Sequence, residues 1–68
     1  MSYEEAMELA DDILSDLDDI PERGEEFADS VREKVESMRI WIEENEKVTP
    51  LMIVALENMR QGVDRWLR

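Results

Sequence analysis

Phe27, Val31, Val35, Met38 and Ile42 follow one another at steps of four, four, three and four residues. At 3.6 residues per turn those steps put all five side chains on one face of a helix. The stripe therefore predicts a helix, α2, over about residues 23–45, with Glu25 and Glu26 in its first turn, where the helix dipole favours acids.

Punctuation on either side of this stripe predicts two more helices. Ser2-Tyr3-Glu4-Glu5 matches a capping box, in which Ser2 caps the first turn and Glu5 reaches back. Tyr3, Ala6, Ala10, Ile13, Leu14 and Leu17 then share one side of a wheel, giving α1 over about 3–19, ended by Pro21 and Gly24. Thr49-Pro50 is a capping residue followed by proline at the first helical position, and it opens α3 over about 50–67. The inner face of α3 is Met52, Ala55, Leu56, Met59, Val63, Trp66 and Leu67. Gly62 interrupts that helix at a cost of roughly 1 kcal/mol against alanine, either to admit another helix or to loosen the last turn. Three helices with short loops predict an all-α, up-down-up three-helix bundle. Sixty-eight residues make one domain at most, 1–68, with a core worth only a few kcal/mol.

Charge divides the chain. Residues 1–29 hold twelve acids and one base, whereas residues 30–68 hold seven of each, so the whole net charge of −11 lies in the first 29. The segment DDILSDLDDIPERGEE is half carboxylate, and Asp16, Asp18 and Asp19 stand where α1 ends and acids are mildly unfavourable. In an up-down-up bundle the C-terminal ends of α1 and α3 are neighbours, which brings Arg60, Arg65 and Arg68 toward those three aspartates. Glu5, Glu8, Asp12, Asp16 and Asp19 form a line on the side of α1 away from its apolar face. That line is roughly 20 Å long at 1.5 Å per residue. It is either a solvated face or a ligand for a basic partner. Neighbouring carboxylates about 5–6 Å apart resemble the spacing of phosphates along a DNA strand, which admits an acidic DNA mimic that inhibits a host DNA-binding protein. Direct binding of nucleic acid or of an anionic membrane is disfavoured by the same field.

Several apolar residues fall outside the helical stripes. Ile40 lies opposite the α2 stripe and Trp41 at its edge; in α3, Leu51, Ile53 and Val54 extend an apolar run all the way round the first turns. The end of α2 and the start of α3 share one end of the bundle, so Ile40, Trp41, Leu51, Ile53 and Val54 predict an apolar interface there. A symmetric homodimer is the expected occupant of such a surface.

Catalytic chemistry finds no footing in these residues. The chain has no histidine and no cysteine, so its four serines lack the usual activating base and the common thiolate and imidazole metal ligands are missing. The acidic segment lacks the alternating oxygen ligands of an EF-hand loop, and Pro21 interrupts it. No phosphate-binding glycine loop is present. The expectation is a protein with no enzymatic activity, cofactor or metal. No run of about 18 apolar residues is available to span a bilayer, and the N-terminus lacks a basic flank and an apolar stretch, so a cytoplasmic location is expected.

FADSVREKVES, followed by VTPLMIVALENMRQGVDRW, resembles a pattern in small phage and prophage accessory proteins. There a Phe-x-x-Ser helix is followed by a loop, an apolar-Thr pair and a helix with paired apolar residues. Phe27, Ser30, Val48, Thr49, Ala55, Leu56 and Met59 carry the resemblance, over roughly the last 40 residues. Met52 stands where such proteins often have glutamine. The resemblance implies an accessory or host-interacting role, not an activity.

Overall fold

The computed structural model describes all 68 residues as three α-helices and no strands. α1 spans Tyr3–Leu17, α2 spans Glu25–Asn45 and α3 spans Pro50–Leu67, with a single 3-10 turn at Glu22–Gly24. α1 is two residues shorter at its end than the sequence predicts, and α2 begins two residues later. The cause lies in the backbone: the amides of Asp18, Asp19 and Ile20 bond back to the carbonyls of Ser15, Asp16 and Leu17, which tightens the helix into a three-residue turn before Pro21.

The helix starts follow the predicted chemistry. Ser2 Oγ accepts from the Glu5 amide at 3.2 Å, and the Ser2 hydroxyl donates to the Glu5 carboxylate at 3.3 Å. Glu5 thus reaches back to the hydroxyl, where the capping box would have it reach the backbone. Thr49 Oγ1 accepts from the Met52 amide at 3.1 Å, with Pro50 at the first helical position. α2 ends on Glu46, whose φ of 49° makes it the one non-glycine residue in the left-handed region.

Ion pairs and stacking fix the topology as up-down-up. Arg32 pairs with Asp18 and Arg39 with Asp11, so α2 climbs while α1 descends, and the two are antiparallel. The ring of Trp66, in the last turn of α3, sits against the Gly24 turn that follows α1, so α3 runs parallel to α1. Ala6, Ala10, Ile13, Leu17, Ala28, Val31, Val35, Ile42, Leu56 and Val63 form one buried cluster drawn from all three helices. α1 packs on both partners, while α2 and α3 approach each other least. The molecule is elongated, 35 × 18 × 17 Å.

Gly62 admits the neighbouring helix. A Cβ on Gly62 would meet the Phe27 ring of α2 at 3.0 Å, and the ring belongs to one half-buried side chain that can tilt. Gly62→Ala should therefore stabilise the fold by a few tenths up to ~1 kcal/mol, because the helix-interior gain exceeds the cost of a small ring shift. Chemical denaturation checks this; a loss above ~1 kcal/mol would mean that Phe27 is locked in place.

Candidate functional site: the open face between α2 and α3

The weak α2–α3 approach leaves an open groove of about 640 Å³ lined by Ser30, Glu33, Lys34, Ser37 and Met38 of α2 and by Ala55 and Met59 of α3. A second, smaller hollow of about 240 Å³ lies between the same two helices, bounded by Phe27, Gly62, Arg65 and Trp66. Phe27 and Trp66 are 6.2 Å apart with rings tilted by 34°, and the Arg23 guanidinium covers the Trp66 ring at 5.5 Å. Val31, Val35 and Ile42 of the α2 stripe are buried, while Met38 and, on α3, Met59 are half-buried and line the groove.

Of the five apolar residues expected at one interface, three are exposed and two, Trp41 of α2 and Ile53 of α3, are half-buried. Ile40, Leu51 and Val54 are 57%, 82% and 55% exposed. Leu51 lies one turn before Ala55 on the groove side, and Val54 one turn after Leu51 beside it. Ile40 lies seven residues after Glu33, on the outer rim of the same groove. Ile53 lies seven residues before Arg60, which pairs with Asp12 of α1, so Ile53 belongs to the α1 side, where it is half-buried. Trp41 is also half-buried: it packs on the core, the Lys47 ammonium lies over its ring at 6.0 Å, and Asn45 Nδ2 donates to its carbonyl at 2.7 Å. Sequence spacing revealed which residues lie off the stripe. It missed the groove, because Ser30, Ser37 and Ala55 carry no signal until α2 and α3 are seen to stand apart.

The acidic stripe is partly redirected. Arg60 pairs with Asp12 at 3.7 Å, so Asp12 faces α3. Asp16 is half-buried, while Glu5, Glu8 and Asp19 are exposed; Glu8, Asp16 and Asp19 have no cation within 4.0 Å. Asp18 and Asp11 are answered from α2, by Arg32 at 3.3 Å and Arg39 at 2.7 Å. The expectation that Arg60, Arg65 and Arg68 would meet Asp16, Asp18 and Asp19 is therefore corrected. Residues 60 and 65 are five apart, about 140° round the helix, so they cannot both face α1. Arg65 turns to the α2 side instead.

Arg39 is held above its ordinary pKa, first by the hydrogen bond to Asp11, then by the charge of that carboxylate, with Glu43 adding to it and desolvation opposing. A group with a raised folded pKa contributes stability that is complete below the unfolded value and is lost only as pH rises through the folded one. For an arginine that window lies far above neutral pH. The pair thus contributes no pH dependence between about pH 6 and 9, and salt is the informative variable. With −11 on the chain and most of the α1 acids unpaired, repulsion outweighs the exposed pairs. Raising NaCl from about 0.02 to 0.5 M should raise the melting temperature by a few degrees. A fall would show that the ion pairs dominate.

Compared with family models, with curated proteins and with solved structures, the chain matches none. No helix is long and apolar enough to cross a membrane.

Proposed function

We propose that the protein is a non-enzymatic, cytoplasmic helical interaction module, of the accessory kind found in phages and mobile elements, which receives another protein on its α2/α3 face. The observation that carries this reading is the open groove with Ile40, Leu51 and Val54 exposed along its rim. Exposed apolar side chains gathered in one place are a mark of interfaces, whereas scattered ones are ordinary. Methionines in the groove support it, because a flexible thioether adapts to the shape of an incoming side chain. The phage setting rests on the resemblance of residues 27–59 alone.

The test is retention of proteins from a bacterial lysate by the immobilised chain, beside the variant Leu51→Lys/Val54→Glu. Both residues are exposed, so the variant should fold. Binding through the apolar face should survive high salt and be lost in the variant. Retention that is equal in both would overturn the reading. A second reading, mimicry of a nucleic acid, is supported by Glu5, Glu8, Asp16 and Asp19. It predicts a DNA-binding partner that is released by salt and lost on Glu8→Gln/Asp19→Asn while Leu51→Lys/Val54→Glu still holds it.

A further inference from the structure

We infer that the α2/α3 face is occupied by a second copy of this chain, the two grooves meeting face to face about a two-fold axis. This rests on the reading above that the α2/α3 face is an interface, and gives it a second copy of the chain in place of a different protein.

The argument starts from charge. α1 and the turn after it, residues 1–24, hold nine acids and one base, a net −8, whereas residues 25–68, which form α2 and α3, hold ten acids and seven bases, a net −3. Two copies of a chain at −11 come together at least cost through their least charged part. Pairing the α2/α3 faces does this and leaves both α1 helices on the outside, separated by two layers of helix.

The rim is self-complementary. Lys34 and Arg65 line the two hollows and have no carboxylate within 4.0 Å, in a chain with 19 acids. Glu33, beside Lys34 on the same wall, has no cation partner either. A two-fold axis makes every contact twice, residue i to j and j to i. It lets Glu33 of each copy meet Lys34 of the other.

Geometry and size agree. α2 and α3 form an antiparallel hairpin, and two such hairpins face to face make a four-helix layer, with Met38, Ala55 and Met59 in its centre. The whole molecule is 35 Å long and 18 Å across, so a face running its length is on the order of the ~800 Å² that each partner gives to a standard interface. Only 11 of 68 residues are buried in the isolated chain, so the extra burial adds materially to a small core.

Sedimentation equilibrium on the full chain from about 5 to 500 µM tests this, together with cysteine cross-linking, which the cysteine-free sequence makes unambiguous. The mass should rise from the 8.0 kDa of one chain toward twice that value. Ser37→Cys, in the groove, should form a disulfide-linked dimer under mild oxidation, and Ser15→Cys, exposed on α1, should not. Lys34→Glu should raise the dissociation constant about tenfold, since two symmetry-related pairs become repulsive. Glu33→Lys/Lys34→Glu should restore it. A single 8.0 kDa species at 500 µM overturns the inference, as does cross-linking through Ser15→Cys in place of Ser37→Cys. Either result leaves the wider reading standing or falling on its own assay, where Leu51→Lys/Val54→Glu is judged by retention of a different protein.

Discussion

Leu56→Ala should leave the chain largely unfolded at room temperature, while Leu51→Ala, the same change five residues earlier, should barely move its melting temperature. Both residues sit in the first two turns of α3, and both substitutions gain slightly in helix propensity. Burial separates them: Leu56 is fully enclosed and Leu51 is 82% exposed. Truncating a buried leucine removes its transfer energy and leaves a cavity, at about 2–5 kcal/mol. That equals or exceeds the few kcal/mol that a core of this size supplies. Leu56 cannot be compensated by collapse, because it touches a cluster built from all three helices, and closing the gap would move two of them. At Leu51 the change is a surface one, within about ±0.5 kcal/mol, or a few degrees. The comparison should be made by circular dichroism at low micromolar concentration, because self-association adds stability by mass action. There the two variants separate the roles of the helix: Leu56 holds the fold, and Leu51 serves the face. A cooperative transition for Leu56→Ala within ~1 kcal/mol of the unmodified chain would show that α3 is dispensable to the core.

The contrast also shows what the linear sequence can reveal. Leu56 and Leu51 are the same residue in one apolar run, yet Leu56 is in register with Val63, and Leu51 is not. Periodicity distinguishes them, and it places the three helices and nine of the ten buried residues; it misses Ala28, a small side chain beside the stripe, and it puts Leu67 inside where the last turn leaves it exposed. Ion pairing was less legible. Arg32 and Arg39 carry no sign in the sequence of which acid they meet, because their pairing with Asp18 and Asp11 depends on the rotation of α2 about its axis. A wheel places a residue relative to its own helix and says nothing of which neighbour that face meets. The same limit explains why Ile53 and Val54, adjacent in sequence, were assigned to one patch: 100° of rotation sends one to the α1 side and the other to the rim. The groove was hidden for a further reason. It is made by a gap between helices, and a gap has no residue of its own.

Gly24→Ala should destabilise the fold by about 1–3 kcal/mol, against the usual expectation for a glycine replaced where the backbone allows it. The φ of −100° and ψ of 12° at Gly24 are open to any L-residue, so conformational freedom is not what the position requires. In a free environment the substitution would stabilise by about 0.4–1 kcal/mol, through a less flexible unfolded chain. Space reverses the sign. A Cβ here would lie 2.7 Å from Ile20 Cγ2 and 3.2 Å from the Trp66 ring, so it is pressed from two sides. Ile20 Cγ2 sits on the branched Cβ, so only a change of its χ1 rotamer makes room for the methyl. Trp66 has less room: Phe27 stands 6.2 Å from its ring, and Arg23 covers it. The methyl group therefore loosens the seat of the last turn of α3, and the near-ultraviolet dichroism of the tryptophans should weaken while helix content holds. Because Ile20 is the closer obstacle, the two sites should couple. In an Ile20→Ala background most of the cost of Gly24→Ala should disappear, leaving only the tight approach to the indole. A Gly24→Ala chain that is more stable than the unmodified one would mean that Ile20 yields freely, and that the turn closes on Trp66 with room to spare.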